Sequence, residues 1–174
     1  MFGFNNNKDT ATRSLTKAIE LEVGDIVVLN ERQSLPKILR SQELEVTSVG
    51  THQYSDGIEK ELTFRSIDNK TYYMSIDDND GDPLLCFSIK IERAEVETLF
   101  DLGQFARLFE DASYTQLEVK SIPERLKDWV GGDNYHQTLS HGEGYYFKDD
   151  LIAKGVIPSS HEDESSEAFR FHEC

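Results

Sequence analysis

Four segments in the first half of the chain alternate between hydrophobic and polar residues, as β-strands do when one of their faces is buried. The segments cover residues 43–54, 58–67, 70–76 and 84–92. Short stretches rich in Asp, Asn, Ser and Gly connect them, at residues 55–57, 68–69 and 77–83. Because such residues satisfy tight turns, the pattern predicts an antiparallel sheet with one buried face and one solvated face.

The hairpin formed by residues 70–91 is predicted to lie at the centre of this sheet. Its first strand would place Tyr72, Met74 and Ile76 on the buried face. Its second strand would bury alternate residues in the same way, namely Leu85, Phe87, Ile89 and Ile91. Cys86 would then be enclosed in an apolar strand and chemically inert.

The period of the hydrophobic pattern changes after residue 91. Apolar residues spaced by three and four over residues 94–109 predict one kinked helix or two short ones, with Asp101 as a possible N-cap. Residues 121–130 carry the Ser, Pro and Glu of a helix start and predict a further short helix. A loop is expected at residues 133–143, and a bent strand or two short strands at 19–29. Further strands are expected at 114–119, 144–147, 151–157 and 168–172.

Together these patterns predict a mainly β fold, with an α+β fold as the alternative. The sheet would be twisted and antiparallel, either a sandwich or a partly open barrel, with one to three short helices packed on it. Residues 1–14 are expected to form a flexible lead-in and residues 15–158 a single β-rich domain. Residues 159–174 are expected to be an acidic, mobile segment that can add an edge strand.

The charge balance narrows the classes of partner. The chain of 174 residues carries 18 Lys and Arg against 33 Asp and Glu, a net charge of −15, so its surface repels phosphate backbones and anionic membranes. Nucleic-acid binding is therefore not expected. A basic protein partner is compatible with this charge, but the charge is explained more simply by its contribution to solubility. Ten Phe and seven Tyr supply enough large apolar side chains to build a core, which argues against a disordered chain.

Cysteine usage and hydrophobic runs bear on the compartment. Cys86 and Cys174 are far apart and in dissimilar settings, so a structural disulfide is not expected, and the count fits a reducing cytosol. No run of ten apolar residues occurs, and residues 1–10 lack the apolar core of an export signal. The sequence therefore predicts a cytoplasmic protein without an integral membrane segment, and it leaves the oligomeric state open.

The acidic turn at residues 77–83 is the most suggestive piece of chemistry in the sequence. Placing Gly81 at position 6 of a helix–loop–helix calcium motif puts Ile76 at position 1 and Phe87 at position 12, where oxygen ligands are required. The motif is therefore excluded, and the residues are interpreted as a turn. Two alternatives stay open: a looser calcium site and a contact with a basic partner. The candidate residues are Asp77, Asp80 and Asp82 for calcium, and Asp78 and Asp80 for the partner.

A second group of candidate ligands lies in the predicted loop at residues 133–143. Asp133, His136 and His141 are residue types that bind transition metals, but the spacing of the two histidines does not place them on one helical face. No third ligand follows from the spacing, so an ordinary surface loop is the simpler interpretation. No sequence motif for a nucleophile, a phosphate loop or a dinucleotide site occurs, and no cofactor is predicted.

Two stretches carry a resemblance to a known class of proteins. The stretches are T-Y-Y-M-S-I-D-D-N-D-G-D-P-L-L-C-F and I-P-E-R-L-K-D-W-V-G-G followed by Y-Y-F. Over roughly residues 20–150 the chain resembles small bacterial β-rich domains of unknown function that are encoded near stress and membrane-maintenance proteins. The resemblance implies a cytosolic accessory protein without established catalysis, and it implies no functional residues.

These observations favour a non-catalytic binding or assembly module of the bacterial cytosol that acts through a protein partner. The first alternative is a metal-assisted hydrolase that uses the segment around His136 and His141. The second is an acidic mimic of nucleic acid that occupies the basic groove of another protein. The absence of motifs leans away from an enzyme without excluding one.

Overall fold

The computed structural model describes residues 13, 15–77, 83–110, 114–156 and 165–174. It is mainly β, as the alternation predicts, with an antiparallel sheet that does not close into a barrel and two short α-helices. The strands are β1 Ile26–Val28, β2 Glu43–Gln53, β3 Ile58–Ser66, β4 Thr71–Asp77, β5 Leu84–Ser88, β6 Gln116–Glu118, β7 Asn134–His136, β8 Leu139–Phe147 and β9 Ser166–Glu173. The helices are α1 Arg93–Leu99 and α2 Leu102–Ala106, and 3₁₀ turns occur at Ala18–Glu20, Lys37–Leu39, Arg107–Phe109 and Glu124–Leu126.

The long strand β2 organises the main sheet. Its strands are ordered β5-β4-β3-β2-β8-β9, and β1 also pairs with β2. Residues 43–45 of β2 pair with β1, whereas residues 51–53 pair with β8, so two strands share one edge of β2. The register with β3 shifts between Val46 and Ser48, which marks a β-bulge in the middle of the strand. β6 and β7 form a separate two-stranded sheet.

One face of the main sheet, the core face, is covered and apolar. Its buried side chains come from β2, β3 and β4 and include Leu44, Val46, Leu62, Phe64, Tyr72, Met74 and Ile76. Leu21 and Leu39, from the segments that flank β1, pack on them, and the Trp129 ring stacks on Tyr72 at 6.4 Å between centroids. A second cluster joins the two helices to β6 and β7 through Leu99, Phe100, Leu108, Leu117 and Leu126.

Only the first strand of the predicted central hairpin lies inside the sheet. β4 is buried as expected, but β5 is the outermost strand, and Leu84 and Leu85 are 61 % and 43 % exposed. Ile91 lies beyond the strand and is exposed, and so is Cys86, which the sequence interpretation placed inside the core. The prediction was wrong here because alternation alone does not distinguish an edge strand from a central one.

Of the bent strand or two short strands predicted at residues 19–29, the structure has one short strand. Ala18–Glu20 forms a 3₁₀ turn, and only Ile26–Val28 is a strand, with Ile26 and Val28 exposed. Gly24 lies between the 3₁₀ turn and β1 with a φ of +93°, a conformation that glycine adopts without strain. β1 pairs with only three residues of β2.

The helical prediction for residues 94–109 is confirmed as two short helices. The break falls at Phe100 and Asp101, three residues earlier than a break at Gly103 would, and the Asp101 carboxylate caps α2 by accepting bonds from the amides of Gly103 and Gln104. The N-cap predicted from sequence is therefore correct.

Three further predictions were wrong. Residues 121–130 hold the 3₁₀ turn Glu124–Leu126 in place of an α-helix, since the amides of Leu126 and Lys127 bond to carbonyls three residues earlier. The predicted loop at residues 133–143 contains β7 and the start of β8, and the strand expected at 151–157 is a series of turns over 151–155. The last expected strand, by contrast, is present as β9 and pairs along β8.

The described helices are too short and too polar to cross a membrane.

Candidate functional site

The face of the sheet opposite the core face, here called the outer face, carries polar and aromatic side chains that are only half-buried. The alternation along each strand fixes which residues lie on it. They are His52, Glu59, Glu61, Thr63, Tyr73, Ser75, Tyr146, Phe169 and Phe171, with Tyr54 just beyond β2. These side chains are partly accessible, so the outer face is a candidate binding surface.

Glycines let three of the outer-face rings lie flat against the strands. A Cβ atom at Gly50 would lie 2.5 Å from the Tyr146 ring, and one at Gly144 would lie 2.6 Å from the Phe169 ring. Phe171 covers Gly142 in the same manner, at 2.5 Å. Each ring therefore packs over a glycine on the neighbouring strand, an arrangement that recovers packing lost to the missing side chain.

These rings form a continuous aromatic layer around His52. The imidazole lies 4.9 Å from the Tyr146 ring, 5.3 Å from Phe169 and 5.9 Å from Tyr54, between centroids. Tyr54 in turn contacts Phe171 at 5.4 Å. His52 Nε2 lies 3.2 Å from a carboxylate oxygen of Glu61, and its Nδ1 is buried without a hydrogen-bond partner among the described atoms. One ring nitrogen thus lies beside a carboxylate, and the other is buried.

Several carboxylates gather at one end of the sheet, here called the acidic end. β2 and β4 end there, and β3 begins there, because neighbouring strands are antiparallel. The start of β8 and the end of β9 lie toward the same end. The acidic end consists of Asp56, Glu59, Asp77, Glu143 and Glu173.

A cavity of about 510 Å³ opens at the acidic end. Its walls include the rings of Tyr54 and Phe171 and the carboxylates of Asp56, Glu59 and Glu173. Glu143 also reaches the cavity and is 3.3 Å from Arg170, in an ion pair that is largely exposed. Among the described residues that line this cavity there is no Lys or Arg.

The pKa shifts follow from this concentration of charge. Burial raises the pKa of Tyr54 to about 12, helped by the negative charges of Glu59, Glu61, Glu173 and Asp56. Burial also raises the pKa of Glu59, and the charge of Asp77 adds to the effect while His52 opposes it. Glu59 is therefore a carboxylate whose ionised form is disfavoured by its surroundings.

The acidic-turn candidates lie largely outside the described residues. Asp78, Asp80 and Asp82, proposed from sequence as calcium ligands or partner contacts, fall in the undescribed segment 78–82. Asp77 is described: it is the last residue of β4, pairs in register with Leu84, and lines a second cavity at the acidic end together with Tyr54 and Glu59.

The three candidate ligands at residues 133–143 are placed on separate elements. Asp133 is exposed, and its carbonyl accepts a bond from the Val119 amide at 2.8 Å. His136 is exposed on β7, opposite Gln116. His141 lies on β8 with a φ of 54°, and its ring is 4.8 Å from that of His172.

The sequence interpretation missed the relationship between His141 and His172. The Nδ1 atom of His172 accepts a hydrogen bond from the backbone amide of His141 at 3.4 Å and lies 3.3 Å from the side-chain nitrogen Nε2 of Gln137. In the described part of the chain, no group of three His, Cys, Asp or Glu side chains is placed to hold a metal ion. The arrangement therefore gives no support to a particular metal site.

Comparison of the chain with protein-family models, with curated proteins and with solved structures returns no match.

Proposed function

We propose that the protein is a non-catalytic binding module that recognises a positively charged segment of a protein partner at the acidic end of its sheet. A cytoplasmic location, with Cys86 and Cys174 as free thiols, is part of the proposal. The support comes from the charge, shape and chemistry of the cavity described above.

The observation that carries the proposal is the convergence of Asp56, Glu59 and Glu173 on the cavity that Tyr54 and Phe171 line. Four carboxylates, from Glu59, Glu61, Glu173 and Asp56, raise the pKa of the half-buried Tyr54 phenol in addition to the effect of burial. Three of these carboxylates, from Asp56, Glu59 and Glu173, line the same cavity as Tyr54, so their negative potentials add there. Such a focused negative potential attracts a cation and increases its association rate.

The state of Glu59 gives a reason why a cation is favoured there. Burial and the neighbouring Asp77 make its ionised form unfavourable, as the raised pKa records. A cationic group placed beside Glu59 would relieve the repulsion between these carboxylates. Binding of a basic side chain would therefore lower the pKa of Glu59 and release a proton wherever Glu59 is partly protonated in the free protein.

The aromatic walls favour arginine over lysine as the recognised side chain. A guanidinium is planar, stacks on aromatic faces and can bond two carboxylate oxygens at once, whereas an ammonium is a compact, strongly hydrated charge. Tyr54 and Phe171 supply ring faces next to Glu59 and Glu173 in the same cavity. The cavity therefore offers both features that distinguish an arginine from a lysine.

The acidic turn adds to this proposal. Asp78 and Asp80 follow Asp77 directly in the sequence, and Asp77 lies at the acidic end. The proposed role of Asp78 and Asp80 in contacting a basic partner is therefore retained as part of the same interaction. Their positions play no part in the geometry argued above.

Titration of the intact protein with a fluorescent peptide tests the proposal. A peptide with several arginines is expected to bind saturably, and a lysine peptide of the same length and charge to bind more weakly. Both affinities should fall as salt is added, because salt screens exposed charges. A neutral peptide is the control and should not bind.

Two results would contradict the proposal. The arginine peptide could fail to bind at low ionic strength, or it could bind equally well after Glu59→Gln and Glu173→Gln are introduced together. The exposed Glu118 on β6 provides a matched control, since Glu118→Gln removes one carboxylate without altering the acidic end.

A further inference from the structure

A third cavity, separate from the two at the acidic end, lies on the outer face. We infer that it binds a neutral, polyhydroxylated small molecule of the carbohydrate class, independently of the basic partner. The cavity measures about 370 Å³ and lies between Tyr73 on β4 and Tyr146 on β8. Its size falls in the range of about 300–1,000 Å³ that small-molecule sites occupy. This cavity is called the tyrosine groove below.

Glycine gives the groove its shape. The Tyr146 ring extends over Gly50 of β2, where a Cβ atom would lie 2.5 Å from the ring carbon Cε2 and from the hydroxyl oxygen. The phenol thus lies across β2 and reaches toward β3 instead of standing away from the sheet. Tyr73 and Tyr146 line the same groove, and burial, followed by the charge of Glu61, raises the pKa of Tyr146.

The rings suit the apolar face of a sugar. The C–H bonds on one face of a pyranose carry a small positive charge, and aromatic ring faces are negative, so the two surfaces attract each other and bury apolar area together. Tyr73 and Tyr146 are both half-buried, which leaves part of each ring accessible from the groove. Two such rings on either side of one cavity can hold a ring-shaped ligand.

The charges of the groove favour a neutral ligand. Glu61 supplies one negative charge, and Lys90 supplies one positive charge, with its ammonium 5.2 Å from the centroid of the Tyr73 ring. These two charges offset each other, so they give the groove no net preference for an anion or a cation. The acidic end, by contrast, has no described Lys or Arg in the lining of its larger cavity, and the two sites therefore select different ligands.

The hydrogen-bonding groups match hydroxyls. Glu61 accepts bonds, Lys90 donates them, and the hydroxyls of Thr63 and Ser88 do both. A sugar hydroxyl likewise donates and accepts, so it can pair with each of these groups. The mixture of donors and acceptors around two rings is better suited to a polyhydroxylated ligand than to an apolar one.

His52 indicates binding and not catalysis. Its Nε2 atom is engaged with Glu61 at 3.2 Å, and its Nδ1 atom is buried beneath the aromatic layer without a described partner. Neither nitrogen is therefore placed to take a proton from a ligand in the groove. The pair instead fixes the position of the Glu61 carboxylate at the floor of the groove.

The inference is tested by titrating the protein with maltotriose, cellotriose or chitotriose and recording its amide NMR spectra. At least one of them should produce saturable shifts at Thr63, Ser88 and Lys90, at millimolar concentrations. Tyr73→Ala should weaken that affinity by about tenfold or more. Tyr73→Phe and Tyr146→Phe keep the rings and should retain most of the affinity. They keep the inference testable if Tyr146→Ala fails to fold.

Matched controls separate this site from its surroundings. Tyr145→Ala alters the neighbouring tyrosine of β8, which faces the other side of the sheet, and should leave saccharide binding unchanged. Glu59→Gln should also leave it unchanged, because Glu59 belongs to the acidic end. The inference is overturned if none of the three saccharides gives saturable shifts, if Tyr73→Ala binds as the wild type does, or if free arginine occupies the groove instead.

Discussion

The ammonium of Lys60 lies 2.6 Å from the carboxylate of Asp150, on the core face of the sheet, and only 1 % of the lysine side chain is exposed. The same ammonium donates bonds to the carbonyls of Ile19 at 2.7 Å and Leu21 at 2.9 Å. All three of its donors are therefore satisfied. The lysine ties the N-terminal segment and the turn after β8 to the centre of β3.

Removing this buried cation should destabilise the protein strongly. Lys60→Met leaves the Asp150 carboxylate and two carbonyls without their donor, and breaking one partner of a buried pair costs about 3–5 kcal/mol. Urea unfolding measures the loss. Lys70→Met is the control, because Lys70 pairs with Asp68 at the surface and should matter by less than about 1 kcal/mol. Equal stability of the two variants would contradict a structural role for Lys60.

The glycine–aromatic packing predicts a second, smaller loss. In Gly144→Ala the new Cβ atom would lie 2.6 Å from the Phe169 ring and 2.9 Å from the Gln53 carbonyl, so backbone and ring must both move. We expect a destabilisation of about 1–3 kcal/mol by thermal or urea unfolding. Gly131→Ala is the matched control: it meets no atom within 4 Å and should change stability little or raise it slightly.

The ion pair between Glu95 and Arg125 should make the stability of the protein depend on pH in the acidic range. The Arg125 guanidinium, together with the Glu92 amide, holds the pKa of Glu95 at about 2, below its usual 4.5. Because the folded pKa is the lower one, this stabilisation is present above 4.5 and is lost as the pH falls toward 2. Glu95→Gln should lower the melting temperature at neutral pH and flatten the acid dependence.

Glu97→Gln is the control for that measurement. Glu97 pairs with Arg93 on the exposed surface of the same helix, at 3.0 Å, and its loss should leave the acid dependence as in the wild type. If Glu95→Gln and the wild type lost stability in parallel between pH 4.5 and 2, the contribution assigned to Arg125 would be wrong.

The residue patterns alone were enough to predict the sheet but not its edges. β2, β3 and β4 lie close to the positions that the alternation predicts, because each has one face in the core. β5 alternates equally well, yet Leu85 is exposed, since nothing local marks a strand as the last in a sheet. The buried Lys60 was equally hidden, because its partners lie 39 to 90 residues away in the chain.

The candidate site could be predicted only in part, for a related reason. The excess of acid is visible in the composition, and Asp77, a candidate from the sequence, belongs to the acidic end. Which carboxylates meet there depends on how β2, β3, β4 and β9 are ordered. The sequence pattern assigns Gly142 to a loop and Gly144 to the start of a strand, and only the pairing of β8 with β9 explains them as positions covered by Phe171 and Phe169.

Glu59 should reduce stability at neutral pH. Burial and Asp77 raise its folded pKa above the usual 4.5, so the folded state binds its proton more tightly than the unfolded state does. Stability therefore rises as the pH falls through the folded pKa, until the unfolded pKa is reached. Glu59→Gln should be more stable than the wild type at neutral pH, and the difference should disappear below about pH 4. A less stable variant in urea unfolding would contradict this.

Because Glu59→Gln is expected to be more stable than the wild type, a loss of binding in this variant cannot be attributed to a loss of folding. The most direct test of the central claim is the affinity of the arginine peptide for Glu59→Gln, measured by fluorescence anisotropy at neutral pH and low salt, beside the wild type and Glu118→Gln. The proposed function predicts that Glu59→Gln binds the peptide several-fold more weakly although it is at least as stable, while Glu118→Gln binds as the wild type does. Equal affinity of all three proteins would contradict it.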